Sequence, residues 1–540
     1  MSEPTALSGV FYGDQNFPVP AHMNYGSLFL ETILKFAYKT ALINGATQEQ
    51  ITFRDLAQQI VNTASSLSRL GVKPGDVVGI CSENRIEYII TTIALFCVGA
   101  TATFINSAYR KDELVHTMNI TKPKYMFLSN DALETHYETL KSLNTIREFF
   151  IYGAHVISRT KAISFETLAK EFVDMNSFRP ENFYGRSQTA LILYSSGTTG
   201  LPKGVKLTHL NLIVTAFQEK ASYTRDLSIL TVTPFCNTMG IFCVTDAHII
   251  GKTVVFLPRF NEKVYLETIQ RYKIGILIAA PPIVVILSKS SILHDFDVSS
   301  VELINCGGAP LDPELIRETK LRFPNILHIV QGYGMTETTG AITRETERTF
   351  KQGSVGKVAA GIILKVADTE TGKALGANER GEIRVKGPAL FNGYIRLGKS
   401  TDEDYDDEGF FRTGDIAYYD KDGFVYIVDR IKELIKYKAW QVPPSELEAV
   451  LLQHSAVKDV GVVGTPDPES GELPTAFVVK KPGIDVTERE LIDFVASKVS
   501  PWKRLRGGVR FVQEIPKNGS GKILRRILRG SLAKPPASKL

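Results

Sequence analysis

The chain has 540 residues, of which 44% are apolar and 22% charged, with a formal net charge of +5. Single hydrophobic cores stop growing at roughly 250–300 residues, so more than one domain is expected. A charge this small over this length gives no case for a nucleic-acid partner, although it leaves room for a local basic site facing an anionic ligand. The five cysteines (Cys81, Cys97, Cys236, Cys243, Cys306) are scattered and contain no Cys-x-x-Cys pair. That pattern argues against a disulfide framework or structural zinc and fits a reducing compartment.

The chain starts Met-Ser-Glu-Pro-Thr-Ala, without the basic and apolar regions of a secretory signal. A helix is expected around Leu28–Tyr38. Thr52-Phe53-Arg54-Asp55 reads as a capping box opening a second helix, with Leu56, Ile60, Leu67 and Leu70 at helical spacing. After the turn Lys73-Pro74-Gly75-Asp76 comes a short strand, Val77–Ile80. No residue between Glu87 and Arg110 is charged, a length that could cross a bilayer. Its threonines, Gly99 and the pair Asn106-Ser107 instead predict a buried helix near Ile86–Val98 turning into a strand at Thr101–Ile105, and no transmembrane segment. Further apolar runs follow at Tyr125–Leu128, Ala190–Leu193, Thr253–Leu257, Ile274–Ala280, Leu303–Cys306 and Ile326–Val330. Strands alternating with helices indicate an α/β fold, with a large N-terminal domain of βαβ-type sheets over residues 1–429. Turn signals crowd between Gly353 and Gly423, suggesting a small β-rich subdomain over 353–429. A lysine-rich connection, Ile431 to Gln441, then leads into a compact α+β pattern over 430–540. Its expected elements are a helix at Ser445–His454, strands at Asp459–Val463 and Thr475–Val479, and a helix at Glu488–Val499. The tail 534–540 closes on Ser538-Lys539-Leu540, a tripeptide read by the peroxisomal import receptor, so a peroxisomal location is expected.

Chemistry concentrates first at Tyr194–Gly204, which packs serines, threonines, glycines and a lysine into a loop after a buried strand. Glycines let backbone amides approach an anion, hydroxyls add donors, and lysine supplies charge. Ser195, Ser196, Gly197, Thr198, Thr199, Gly200 and Lys203 are therefore candidates for a polyphosphate cradle. The Walker A spacing is absent. Downstream, Gln331-Gly332-Tyr333-Gly334-Met335-Thr336-Glu337-Thr338 offers a glycine-flanked aromatic face and a glutamate suited to a hard cation.

These stretches, in this order, resemble the adenylate-forming superfamily of acyl-CoA synthetases, 4-coumarate-CoA ligases and beetle luciferases. The resemblance covers residues 25–525 and implies ATP, Mg²⁺ and, as co-substrate, CoA. It implies that Tyr333 stacks on adenine, that Thr336 binds phosphate, that Glu337 holds Mg²⁺, and that Gln331, Gly332 and Gly334 belong to the same nucleotide motif. Gly307-Gly308-Ala309-Pro310 resembles the loop bordering adenine and the acyl pocket. Asp415, in Phe411-Arg412-Thr413-Gly414-Asp415, and Arg430 match ribose contacts. Lys522 matches the lysine that bridges carboxylate and α-phosphate during adenylation, a job that suits a compact ammonium on a long stem. Lys436 and Gln441 match residues of the thioester half-reaction, and Lys432 lies where the family hinge falls (430–432). The C-terminal domain is accordingly expected to be mobile, presenting Lys522 for one half-reaction and the Lys436 face for the other.

Two departures bear on the substrate. Thr233-Pro234-Phe235-Cys236-Asn237-Thr238-Met239-Gly240 aligns with a pocket motif in which luciferases and 4-coumarate ligases carry a histidine at Asn237 and an aromatic at Met239. Asparagine cannot act as a base near neutral pH, and methionine makes an adaptable apolar wall. Ala439 stands where the family usually has glycine, next to the CoA path. The expected activity is AMP-forming ligation of a medium- to long-chain fatty acid, or another apolar acid, to CoA. Competing readings are a luciferin monooxygenase, a 4-coumarate-CoA ligase-like enzyme and a non-catalytic binding protein that retains the fold.

Overall fold

The computed structural model describes residues 5–7, 9–16, 19–153, 162–195, 202–220, 225–309, 311, 313–323, 325–395, 404–438, 440–517 and 521–532. Two large sheets carry the first three hundred residues. In one, Thr189–Ser195, Thr101–Ile105, Val77–Cys81, Tyr125–Ser129 and Glu148–Tyr152 run parallel, with Lys203–Thr208 and Tyr394–Ile395 added antiparallel at one edge. In the other, Thr40–Asn44, Val254–Phe256, Ile229–Thr231, Ile276–Ala279, Leu303–Cys306 and His328–Gly334 are parallel neighbours. The strands are short apolar runs because helices cover both faces.

The uncharged stretch after Glu87 folds as expected, as a helix Ile86–Cys97 and a strand Thr101–Ile105. Every residue of that helix except Glu87 is buried, the signature of a helix enclosed by protein on all sides. Among the described residues no helix is long and apolar enough to cross a membrane. Thr52 does cap the helix Phe53–Arg69, its hydroxyl accepting from Asp55 N at 3.1 Å. The reciprocal half of the expected box differs: Asp55 is one carbon shorter than glutamate, and its carboxylate accepts from the Thr52 hydroxyl at 2.7 Å. The first helix starts earlier than expected, at Tyr25, and ends at Ile33, where Leu34–Phe36 tighten into a 3₁₀ turn.

The β-rich segment forms a six-stranded antiparallel sheet, but it is not self-contained. Val10–Tyr12 from the start of the chain, with Thr5–Leu7 paired outside it, lies against Ile363–Ala367, followed by Gly381–Lys386, Phe411–Tyr419 and Val425–Arg430. Tyr394–Ile395, from the middle of this segment, instead joins the large parallel sheet.

The smaller C-terminal domain is α+β. Val457–Asp467 and Gly471–Lys480 form a long hairpin, Val509–Phe511 adds in parallel, and helices Pro444–Leu452, Glu488–Lys498 and Arg525–Leu532 pack on it. The lysine-rich connection contains a hairpin, Ile435–Tyr437 against Trp440–Val442. Lys438 takes the positive φ of its tip, at 53°, whereas Ala439 lies outside the described residues. Trp440 stacks on Trp502 with centroids 4.4 Å apart. The last helix is tied in by Arg525, whose guanidinium meets both oxygens of Glu448 at 2.7 and 2.8 Å in a buried pair. Contacts with the large body include Ser445 N donating to Asp429 Oδ2 at 3.0 Å.

Candidate functional site

The strand His328–Gly334 carries the second motif, so Gly332-Tyr333-Gly334 is strand and only Thr336–Thr338 is a turn. The glycine at 334 is needed because the neighbouring chain crosses closely: a Cβ there would stand 2.3 Å from Gly340 O. This close approach fixes where Tyr333 and Glu337 emerge. The Tyr333 hydroxyl donates to Asp415 Oδ2 at 2.6 Å, bringing the expected adenine and ribose residues together. Glu337 is buried, and its Oε1 accepts from the Tyr394 hydroxyl at 2.9 Å. Thr336 Oγ1 accepts from Thr238 Oγ1 at 3.3 Å, which places the helix Thr238–Ile249 against the same turn.

Asp415 lies directly opposite Arg430 across two antiparallel strands, with Arg430 Nε 3.2 Å from its Oδ1. Burial pushes its carboxyl above the usual range, against the opposing pull of the Arg430 guanidinium and the Tyr333 hydroxyl. Lys522 shares this electrostatic neighbourhood. Burial and the Arg430 charge depress its ammonium to about 8, partly offset by Asp415 and Glu433. The tip that carries it rests on the large body: Gly521 has φ +81°, and a Cβ there would meet Pro282 Cγ at 2.3 Å.

The phosphate-loop candidates Ser196, Gly197, Thr198, Thr199 and Gly200 lie outside the described residues. Their flanks do not. Ser195 and Lys203 face each other as the last pair of an antiparallel ladder, and both of its strands neighbour the turn Thr336–Thr338. Lys203 Nζ sits 5.0 Å from the centre of the Tyr394 ring, the same tyrosine that holds Glu337. Gly307, Gly308 (φ +93°) and Ala309 follow the strand Leu303–Cys306, whose last residue pairs with Gln331. A Cβ on Gly307 would come within 3.2 Å of Met239 Sδ, so Met239 and Gly307 are neighbours as the pocket assignment requires. Asn237 is the N-cap residue of the helix Thr238–Ile249, without a side-chain capping bond. The Gln331 amide oxygen accepts from Leu311 N at 2.9 Å and so ties down the loop after Gly307.

Lys436 and Gln441 face each other in the hairpin of the small domain, both exposed. Lys436 N donates to Glu472 Oε2 at 2.8 Å, and no hydrogen bond among the described residues joins either side chain to Glu337, Tyr333 or Asp415. The structure therefore gathers the adenylation candidates and leaves the thioester pair apart.

Two residues at the site escaped the sequence reading. Tyr394 links Glu337 to Lys203. Glu382 accepts from Gly414 N at 3.2 Å, just before Asp415. Only Tyr394, in Phe391-Asn392-Gly393-Tyr394, carried a sequence signal, a glycine-flanked aromatic like Tyr333. As a cation site the turn Thr336–Thr338 offers one buried carboxylate, Glu337, and among the described residues no group of three or more His, Cys, Asp or Glu could hold a metal. One carboxylate fits Mg²⁺, whose other ligands would be phosphate oxygens and water.

Comparison with known proteins identifies the family. Residues 29–395 match the AMP-binding enzyme family and residues 446–522 the AMP-binding enzyme C-terminal domain. The chain is 42% identical over 511 residues to a luciferin 4-monooxygenase of Nipponoluciola cruciata, covering 92% of each chain. It is 36% identical over 507 residues to a probable 4-coumarate–CoA ligase of Dictyostelium discoideum, covering 90% of this chain and 91% of that one. The fold superposes on ATP-bound MatB from Rhodopseudomonas palustris with a TM-score of 0.85 at 27% identity, covering 95% and 99% of the two chains. With its nucleotide motifs and two-domain architecture, this chain belongs to the AMP-binding enzyme family, within the adenylate-forming superfamily of luciferases and CoA ligases.

Proposed function

We propose that the protein is an AMP-forming acid–thiol ligase that activates a medium- to long-chain fatty acid, or another apolar carboxylic acid, and transfers it to CoA. The observation that carries the adenylation half is Asp415 held between the Tyr333 hydroxyl at 2.6 Å and Arg430 Nε at 3.2 Å, with Lys522 in the field of the same carboxylate and guanidinium. A carboxylate oxygen attacking the α-phosphorus of ATP brings two anions together while pyrophosphate leaves. The Lys522 ammonium screens that approach, with Asp415 and Arg430 holding the sugar and Tyr333 the base. Glu337 and the phosphates would hold Mg²⁺, which supplies charge neutralisation to the polyphosphate. In the second half the CoA sulfur attacks the acyl carbon and AMP leaves, with Lys436 and Gln441 brought in by rotation of the small domain about 430–432. Support for an apolar chain comes from Met239 beside Gly307 and from Asn237 in place of a pocket base.

Lys522→Ala should lower acyl-adenylate formation by roughly a hundredfold or more. Unchanged formation in that variant would sink the assignment. Product mass spectrometry with ATP-Mg²⁺, CoA and a pool of fatty acids, hydroxycinnamates and luciferin reads the substrate class directly. A luciferin monooxygenase is the second reading, favoured by the 42% identity to one; light from luciferin and ATP would establish it. The proposal extends to location: Ser538-Lys539-Leu540, read as a terminal tripeptide, is a peroxisomal address. Deleting it should leave a fluorescently tagged chain outside peroxisomes.

A further inference from the structure

Asp415 does not sit on a regular strand. In the pairing of Gly381–Lys386 with Phe411–Tyr419, Glu382 lies opposite Ile416 and Arg384 opposite Arg412, so Thr413, Gly414 and Asp415 stand opposite Ile383 alone. Such a bulge re-aims a side chain and breaks the ladder, leaving backbone groups that need other partners. Here side chains supply them. Glu382 Oε1 accepts from Gly414 N at 3.2 Å, Thr413 Oγ1 donates to Ile383 O at 2.7 Å, and Asp415 N donates to Thr413 Oγ1 at 3.1 Å.

Glu382 is held in turn. Its Oε2 meets Arg384 Nε at 2.9 Å, Arg384 Nη1 reaches Asp406 Oδ2 at 3.2 Å, and Lys365 Nζ lies 3.0 Å from the same oxygen. Lys365 and Arg384 are only 1% and 2% exposed. Burying this many charges stabilises a fold weakly, since apolar side chains of equal volume do as well. What the charged set supplies is a fixed carboxylate under Gly414. The bulge keeps its shape, and Asp415 its aim, for as long as the Glu382 side chain stays in place.

We propose that Glu382, fixed by Arg384 and Asp406, is a positioning residue for recognition of the nucleotide's sugar hydroxyls, acting through the bulge that presents Asp415. The inference rests on the reading that Asp415 meets the ribose.

The test is equilibrium binding of ATP and of 2′,3′-dideoxy-ATP to the full chain, by titration calorimetry, for wild type, Asp415→Ala, Glu382→Gln and Thr413→Val. Thr413→Val is nearly isosteric at a half-buried position, and it decides the matter if Glu382→Gln does not fold. Glu382→Gln and Thr413→Val should weaken ATP about tenfold and the dideoxy analogue less than about twofold, collapsing the preference toward that of Asp415→Ala. A merely structural role would lower the melting temperature and leave the preference intact. If Asp415→Ala loses the preference while folded Glu382→Gln and Thr413→Val keep it, the positioning role is overturned. If Asp415→Ala itself keeps the preference, the ribose reading fails, and this inference with it.

Discussion

The contact between Gly521 and Pro282 makes a sharp prediction about the two half-reactions. In Gly521→Ala, the new methyl sits on a residue whose φ is +81° with the tip on the large body, a conformation that costs an L-residue about 1 kcal/mol. It also meets Pro282 Cγ at 2.3 Å and Cδ at 2.9 Å, but only while the tip rests on the large body. A proline ring held at the first turn of the helix Pro281–Lys289 cannot swing aside as a flexible side chain would. Overpacking of this kind costs about 1–3 kcal/mol, equivalent to a roughly 5- to 150-fold loss in the population that presents Lys522. The assay is single-turnover formation of acyl-adenylate, set beside thioester formation from pre-made acyl-adenylate and CoA. The first should fall by that factor and the second by far less. Pro282→Ala removes both offending carbons, so the double variant should recover to within about fivefold of wild type, the residue left by backbone strain. Wild-type adenylation by Gly521→Ala, or no recovery in the double variant, would refute the reasoning.

Adenylation should also fall as pH rises through about 8, because the burial-depressed Lys522 ammonium loses its proton there. Lys522→Arg should remove that alkaline limb from the pH–rate profile, whatever its effect on the plateau. Tyr394→Phe keeps the ring beneath Lys203 but deletes the donor to Glu337, so the Mg²⁺ concentration for half-maximal ATP binding should rise about tenfold or more. His209 and His248 are buried among aromatic rings, and burial lowers them to about 3 and about 4. Each is neutral when folded yet protonates near 6.5 when unfolded, so the stability they leave intact above that pH is lost as pH falls toward their folded values. Between pH 7 and 5.5 the two remove about 2.5 kcal/mol. In urea melts His248→Phe should lose about half of that dependence, and parallel curves for variant and wild type would count against it.

Local pattern reached far into this fold. The uncharged run after Glu87 became a fully enclosed helix, and apolar runs such as Leu303–Cys306 became strands of the parallel sheets, because short-range periodicity and burial agree there. The hairpin within the connection at 431–441 was left unassigned, although Ile435 and Tyr437 alternate with Lys436 and Lys438 as a half-buried strand should. The attachment of Val10–Tyr12 to Ile363–Ala367 left no local mark, since its specificity lies in a partner hundreds of residues away. At the site, Tyr333 and Glu337 stand in a run of unusual composition, whereas Asp415 and Lys522 were singled out only by the order of motifs that the family resemblance supplies. Glu382 and Arg384 were not. In an alternating strand they take the positions of an outward polar face, and only the covering of that face turns them inward.

The stacked indoles at the end of the Ile435–Val442 hairpin have an optical consequence. Trp440 and Trp502 are the only tryptophans among the 540 residues. Light emitted on excitation near 295 nm therefore originates from one spot on the small domain, and the large body contributes none. Because both rings lie on the hairpin side of that domain, a rapid-mixing trace after adding ATP, acid or CoA reports its surroundings without any attached dye. Melting followed by the same signal records the fate of some hundred residues and is blind to the other four hundred, so emission and circular dichroism need not report a common midpoint.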